Sequence, residues 1–477
     1  VTAVQLRDYQ AEAIHRVRQA LKRVPRVLLQ APTGAGKTVL ASFMVGQTTA
    51  RNLAAWFICH RAELVEGTSK TFHKFGQSHG LIAAGHPMNL RQPAQVCSIQ
   101  TLVNRLDALQ APRLAIVDEC HHCSAEQWAR VIRWLAERGT LIVGLSATPQ
   151  RLDGQGLDAH FDELVLGPSV AWLMEHGHLS PYRVFAPPGP DMSGVRKQLG
   201  DYAKGETEAR VDRPKLLGDM IDHWRRHANG LRTVAFGVTV AHSQHIAAQF
   251  NAAGVPAAHL DGGTPKGERA RIIRDYAEGH LRVITNVDLF GEGFDLAAIA
   301  QRDVTVDCVI QGRPTQSLSL HLQQVGRALR PGNDKVAVIL DHAGNTQRHG
   351  LPDDEREWTL EGRQKGKRAD NDNGPPPPVI CAGCFNAVRR PLPQRCPHCG
   401  KQFEAASGEI KVAEGELVEI TEAQKRELRQ ARIREEAQAK TLDELIALGK
   451  QRGYKFPMQW AQKRFGFRAA RRSNHAA

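Results

Sequence analysis

The segment Ala31-Pro32-Thr33-Gly34-Ala35-Gly36-Lys37-Thr38 joins an apolar run, RVLLQ at 26–30, to an apolar helical stretch, VLASFMV. Small residues at Thr33, Gly34, Ala35 and Gly36 let backbone N–H groups turn inward around a phosphate, and a helix start adds partial positive charge. Lys37 has the reach to meet the β- and γ-phosphates of a nucleoside triphosphate, and the Thr38 hydroxyl suits Mg²⁺. The first position of this pattern is usually Gly; here it is Ala31. Asp118-Glu119-Cys120-His121 closes a second apolar run, LAIVD at 114–118. Two carboxylates at the C-terminal end of a strand stand where parallel sheets bind ligands. Asp118 is the candidate to hold Mg²⁺, and Glu119 to orient and deprotonate an attacking water. Cys120, His121, His122 and Cys123 are also metal-ligating types, but adjacent residues converge poorly on one ion. Ser146-Ala147-Thr148-Pro149 ends a further run, and Gln323-Gln324-Val325-Gly326-Arg327-Ala328-Leu329-Arg330 lies much later. Arg327 and Arg330, three apart, are expected on one helix face. From there they can compensate charge on a transferring phosphoryl group, with Gln323 as a further candidate catalytic residue.

A second chemistry lies near the C-terminus. Cys381-x₂-Cys384 and Cys396-x₂-Cys399 are separated by eleven residues. Two such knuckles suit a tetrahedral, closed Zn²⁺ site. His398, inside the second knuckle, is expected to point outward. Arg389, Arg390, Arg395 and Lys401 make the module basic, fit for contact with DNA or with protein. A redox role for the pairs is disfavoured because no thioredoxin-like unit surrounds them. The other five of the nine cysteines are scattered, which speaks for a reducing compartment. From Lys450 to Arg472 there are eight Lys/Arg and no acidic residue, interleaved with Tyr454, Phe456, Trp460, Phe465 and Phe467. Such a stretch can neutralise phosphates and stack bases, or form a small helical unit with its own aromatic core.

The elements that must position these residues are legible as apolar runs. Runs at 26–30, 53–59, 114–118 and 141–145 alternate with helical stretches, and a second set follows at 233–236, 255–260, 282–285, 306–310 and 335–340. Buried strands between helices argue for an α/β fold with parallel sheets covered on both faces, here in two domains in series. The expected divisions are a first lobe at 1–182 and a second at 183–350, joined near the Pro- and Gly-rich stretch 181–190. A polar and Pro-rich linker at 351–379, a zinc module at 380–404 and a helical basic tail at 405–477 follow. At 477 residues, 42% hydrophobic and 24% charged, the chain has the length and composition of a multi-domain globular protein. No run approaches the ~20 apolar residues of a membrane span. Val1–Arg7 carries no basic-then-apolar signal, so no membrane and a cytoplasmic place are expected. Sixty-three Lys+Arg against 50 Asp+Glu give a net charge of +13, which favours an anionic partner, most often nucleic acid.

Taken in order, these segments resemble the superfamily 2 DEAD/DEAH-box-like helicases. Gln10 in LRDYQ is similar to the adenine-reading Q-type motif, APTGAGKT to motif I, and HRAEL (60–64) to motif Ia. SIQTL (98–102) looks like motif Ib, DECH like motif II and SATP like motif III. Thr285-Asn286-Val287 with GEGFD (291–295) looks like motif V, and QQVGRALR like motif VI. The resemblance covers about residues 4–345. Within the superfamily, SATPQRLDG, RPTQSLSLHLQQVGRALRP and LDHAGN, with the cysteine module behind them, look most like the RadD-type bacterial DNA-repair helicase-like proteins and their phage relatives. The resemblance implies two RecA-like lobes in tandem, followed here by the zinc ribbon and the basic tail. It implies ATP between the lobes, with Gln10, Gly293 and Asp295 at the nucleotide and Asp295 near the ribose. Ser146 and Thr148 would couple hydrolysis to lobe movement. The implied activity is an ATP-dependent DNA helicase or translocase. The alternative is an ATPase switch that recruits repair or replication proteins through the zinc module and tail without unwinding. The motor subunit of a restriction system is a third reading. The motifs alone do not separate DNA, whether single-stranded, forked or branched, from RNA.

Overall fold

The computed structural model describes residues 5–403 other than 61, 124–125, 152–154, 199–200, 291–295, 301, 303, 333 and 362–375. Beyond 403 it describes 435–436, 438–439, 441–451, 457–458, 461 and 465. Seven parallel strands build a first sheet: β1 (Arg26–Gln30), β2 (Ala55–Cys59), β3 (Gly80–Ile82), β4 (Ala94–Ser98), β5 (Leu114–Val117), β6 (Leu141–Ser146) and β7 (Glu163–Leu166). Their order across the sheet is β3-β4-β2-β5-β6-β1-β7. Successive side chains of β1 part to opposite faces. Val27 and Leu29 join a core with Val17 and Met44, whereas Leu28 joins another with Val131 and Leu135. A strand buried on both faces must be apolar throughout, and that is why RVLLQ and LAIV show no alternation.

The second sheet has six parallel strands. The first, β8 (Tyr182–Phe185), lies inside the Pro- and Gly-rich stretch where the lobes were expected to join. A short antiparallel hairpin follows, β9 (Lys197–Gln198) and β10 (Asp201–Tyr202). Then come β11 (Thr233–Phe236), β12 (Ala257–Leu260), β13 (Val283–Asn286), β14 (Cys308–Gln311) and β15 (Ala337–Asp341). The order is β12-β13-β11-β14-β15-β8. These are two RecA-like lobes. An apolar seam is shared between them: Tyr9, Ala35 and Leu179 pack in one cluster with Phe236, Ala328 and Leu329.

The cysteine module is the small antiparallel pair β16 (Val379–Ile380) and β17 (Ala387–Val388). It sits against the second lobe, where the Ala186 N–H donates to the Phe385 carbonyl at 2.8 Å. Leu351–Glu361, within the stretch expected as a linker, packs against other parts of the protein. Residues 404–477 form a separate unit. Its described helix, Leu442–Gln451, opens with a reciprocal cap in which Thr441 Oγ1 accepts from the Glu444 N–H and Glu444 Oε2 from the Thr441 N–H, both 3.2 Å. Most of the basic aromatic stretch 450–472 lies outside the described residues. No helix among the described residues is long and apolar enough to cross a membrane.

Candidate active site

The phosphate-binding segment leaves β1 and enters the helix Lys37–Thr49. Gly34 and Gly36 hold φ at +92° and +83°, left-handed turns of the kind that wrap a loop round a phosphate, and the Ala35 N–H between them closes the loop onto the Pro32 carbonyl at 3.1 Å. The loop is pinned from outside by the helix Asp8–Ala20. Tyr9 Oη and Gln10 Nε2 both donate to the Ala35 carbonyl at 3.1 Å, while Gln10 Oε1 accepts from the Arg7 N–H at 3.1 Å. Gln10 is 4% exposed, with its Nε2 on the loop and its Oε1 on the cap of its own helix. A cleft of about 540 Å³ opens beside it, lined by Arg7, Asp8, Tyr9, Trp172, His176 and His178 among others. Trp172 and His176 stack with ring centroids 3.9 Å apart. Burial holds the His178 imidazole below its usual range. These rings come from beyond SATP, and no spacing signal in the sequence tied them to LRDYQ.

Asp118 and Glu119 follow β5, both nearly buried at 8% and 5% exposure. Glu119 has φ +46°, ψ +52°, a left-handed backbone that is uncommon for a residue with a β-carbon. Its carboxylate lies 3.2 Å from Lys37 Nζ, so motif II and the P-loop meet directly. His121 Nδ1 stands 3.5 Å from the other Glu119 oxygen and 3.3 Å from Ser146 Oγ. Ser146 Oγ in turn donates to the Thr148 carbonyl at 2.7 Å and accepts the Thr148 N–H at 3.1 Å. DECH and SATP are thereby one hydrogen-bonded unit. Thr38 occupies the first turn of the helix after Lys37. Ser98 Oγ caps the short helix Ile99–Leu102, and Gln100 Nε2 donates to the His60 carbonyl at 2.6 Å, which ties the two expected nucleic-acid motifs of this lobe together.

The second lobe reaches this unit through the helix Leu318–Gly326. Thr148 Oγ1 donates to Ser319 Oγ at 2.8 Å across the two lobes, and Gln323 Nε2 approaches the same oxygen at 3.5 Å. Ser319 lies within the RPTQSLSLHLQQVGRALRP segment, but sequence reasoning gave this small polar residue no role. At the helix end, a β-carbon on Gly326 would stand 2.6 Å from Thr33 Cβ and Cγ2, so only glycine allows this approach to the P-loop. Arg327 and Arg330 follow that helix instead of sharing its face. The Arg327 and Ala328 N–H groups bond three residues back, to Gln324 and Val325, so the helix has tightened into a turn before Pro331. Arg327 is buried at 5% exposure. Gly293 and Asp295 lie outside the described residues, as does Arg61 of the HRAEL segment.

The four cysteines of the module bring their sulfurs within 4.8 Å of one another. Cys381 and Cys399 are 3.7 Å apart, as are Cys384 and Cys396. A tetrahedron with Zn–S bonds of ~2.3 Å has edges of ~3.8 Å, so this donor set fits Zn²⁺. His398 packs edge-on against Phe185 instead of joining the sulfurs. Cys120 and Cys123 are fully buried in the lobe-one core and do not belong to that kind of cluster. Burial pushes both thiols up, away from the thiolate that a metal needs.

Two parallel-sheet lobes, a P-loop with two carboxylates and an arginine turn brought to it from the second lobe define a nucleotide hydrolase whose site spans both lobes. Family models agree with this in two stretches: "Type III restriction enzyme, res subunit" matches residues 3–151, and "Helicase conserved C-terminal domain" matches 212–332. A 51.5 kDa protein of a Lactococcus phage is 33% identical over 402 residues, 82% of each chain. A putative ATP-dependent helicase of Saccharomyces cerevisiae, IRC3, is 28% identical over 369 residues, 71% of this chain and 51% of its own. The chain therefore spans about half the length of that yeast relative. In fold it is similar to the ATP-dependent Type ISP restriction-modification enzyme LlaBIII bound to DNA, with a TM-score of 0.52 and 16% identity over 70% of this chain and 27% of that one. The chain belongs to the superfamily 2 helicases, nucleic-acid-dependent ATPases built on two such lobes.

Proposed function

We propose that the protein is an ATP-driven motor on DNA, a helicase or translocase of the RadD type. Its setting would be DNA repair, recombination or phage replication in the cytoplasm of a bacterial or phage-infected cell. One observation carries the reading: Gly326 seats the second lobe on Thr33 of the P-loop, so the site is complete only while the lobes are together. The basic charge suits either nucleic acid, and DNA is favoured over RNA by the resemblance and the restriction-enzyme family model.

Bound ATP with Mg²⁺ supplies the phosphoanhydride that is cleaved. The chain's own part is to bind and orient. Thr33, Gly34, Ala35 and Gly36 would line the phosphates, Lys37 would pair with them, and Thr38 and Asp118 would hold the cation. Glu119 takes the proton of the attacking water. Arg327 and Arg330, with Gln323 beside them, compensate the charge that develops, worth roughly 10³–10⁵ in rate for such arginines. Gln10, Gly293 and Asp295 would stand at the nucleotide, as the resemblance implies, with Gln10 also bracing the P-loop through Ala35. Loss of the bridging phosphate lets the lobes part, and a strand gripped differently in the two states is moved. Cys381, Cys384, Cys396 and Cys399 hold a structural Zn²⁺.

The test is the steady-state ATPase rate without polymer and with single-stranded, duplex and forked DNA and RNA, with Glu119→Gln as control. Stimulation by DNA and near-complete loss in Glu119→Gln, with ATP binding kept, is the expected result. Full turnover in that variant sinks the assignment. Equal rates with and without polymer would instead support the switch that recruits repair or replication proteins.

A further inference from the structure

After the helix Asn345–His349 and a turn at 352–353, residues 354–360 run without helix or strand and carry a pattern of their own. Glu355, Glu357 and Thr359 are exposed, whereas Arg356, Trp358 and Leu360 are half-buried. That alternation marks a strand-like run with one face against the protein. Its root is fixed on the second lobe. Arg356 donates to the carbonyls of His349 (3.1 Å), Leu351 (2.8 Å), Pro352 (3.4 Å) and Asp354 (2.9 Å). Asp353 accepts from Tyr182 Oη of β8. Arg389 of the cysteine module reaches both Asp353 and Asp354 at 2.7 Å, and the pair lifts its guanidinium above the usual range despite desolvation. Its tip is fixed on the first lobe. The Leu360 carbonyl accepts the N–H groups of Leu157 (2.6 Å) and Asp158 (3.2 Å), and the Leu360 side chain packs into the cluster of Leu157 and Phe161. Gly156 lies so close that a β-carbon there would overlap the backbone of Leu360 and Glu361.

Gln347 Nε2 of the second lobe donates to the Pro378 carbonyl at 3.3 Å, just before the cysteine module. Leu351–Arg356 and Pro378 are therefore held on the second lobe, and Leu360 on the first. We propose that Leu351–Glu361 is a strap that limits how far the two lobes part, with the cysteine module as its anchor through Arg389. The strap gives the module a mechanical task within the chain. Opening the lobes beyond the slack of the segment requires the two hydrogen bonds at Leu360 to break.

Two variants release the tip, Gly156→Ala by steric overlap and Leu360→Ala by loss of packing, and Glu357→Ala on the exposed face is the control. Full-length protein is compared by small-angle X-ray scattering and hydrogen exchange, without nucleotide and with a non-hydrolysable ATP analogue. The expected result is a larger radius of gyration without nucleotide and faster exchange at 157–158 in both variants. The analogue would restore compactness, and Glu357→Ala would match the parent. KM for ATP should rise roughly fivefold, the size of one lost hydrogen bond, with kcat within about twofold. Thermal midpoints identify folded variants. Should Gly156→Ala disturb the first lobe, Leu360→Ala alone decides. Folded Leu360→Ala protein with parental scattering and exchange overturns the strap. Scattering needs no turnover, so failure of the motor reading would leave this result standing.

Discussion

The hydrogen bond from Thr148 to Ser319 offers the sharpest test of communication between the lobes. Both hydroxyls are inaccessible, at 0% and 2% exposure, and the oxygens are 2.8 Å apart. Ser319→Ala removes the acceptor and leaves the buried Thr148 donor unmatched whenever the lobes meet. Stranding a buried polar group costs about 1–3 kcal/mol, which shifts lobe closure by roughly 5- to 150-fold. Thr148→Val removes the donor and is milder at the other end, because Gln323 Nε2 still stands 3.5 Å from Ser319 Oγ. The double variant strands neither group, so its loss should fall short of the sum by about 1 kcal/mol. The assay is kcat/KM for ATP at saturating single-stranded DNA in all four proteins, converted to free energies. Ser319→Thr keeps the hydroxyl and should recover most of the activity. Additivity to within about 0.3–0.5 kcal/mol would refute the coupling, since residues that share a buried bond cannot act independently.

Three further outcomes are expected. Gly326→Ala should lower kcat/KM more than tenfold with little change in thermal midpoint. Its methyl group would meet Thr33 Cβ and Cγ2 at 2.6 Å, and adding Thr33→Ser, which removes one of those atoms, should return part of the loss. His342 is buried and held neutral, its pKa pushed down to about 3 by desolvation and by His223. Between the unfolded value near ~6.5 and 3 the unfolded chain binds a proton that the fold refuses. The share of stability due to His342 should therefore be level above pH ~6.5 and fall by up to about 1.4 kcal/mol per pH unit below it. Urea midpoints from pH 7.5 to 4.5 check this, and His342→Leu should make the acid slope shallower by that share, leaving the part due to other buried histidines such as His321 and His227. Metal analysis should find one Zn per chain and none in Cys384→Ser, with a lower thermal midpoint; a metal-free parent protein would remove the zinc assignment.

What the sequence disclosed and what it hid follow from how local each feature is. The P-loop, DECH and the cysteine knuckles are contiguous, and their conformations follow from residues within one turn. Runs such as LAIV are apolar because both faces of their sheet are covered. β4 escaped notice because Gln95 interrupts it. That side chain is buried only because its Nε2 donates to the Asn89 and Gln92 carbonyls at 2.8 Å, partners no periodicity reveals. Arg327 and Arg330 were misplaced on a helix face because Pro331 tightens the backbone ahead of it. Trp172, Ser319 and Leu360 are functional candidates only through contacts 150 or more residues away. The pattern E-R-E-W-T-L at 355–360 does alternate, but its charged members disguise it as linker.

Those distant contacts converge on one piece of chain. The connection from β6 to β7 begins with SATP and continues past Leu157. At its start Thr148 is held by Ser319, in the first turn of the helix that ends on the P-loop. Farther along, Leu157 and Asp158 are held by Leu360 at the tip of the segment rooted on the second lobe. The second lobe thus grips the same connection of the first at two points. The first point lies within the hydrogen-bonded unit of Glu119, His121 and Ser146, and the second leads back to Arg389 and the cysteine module. Separating the lobes must break the first contact and strain the second. The two should then respond differently to nucleotide. Exchange at Thr148 should slow with the ATP analogue in the parent and in Leu360→Ala alike. Exchange at Leu157 and Asp158 should slow only where Leu360 is intact. Identical behaviour of the two points in both proteins would mean that the connection moves as one rigid piece and that the strap adds no restraint of its own.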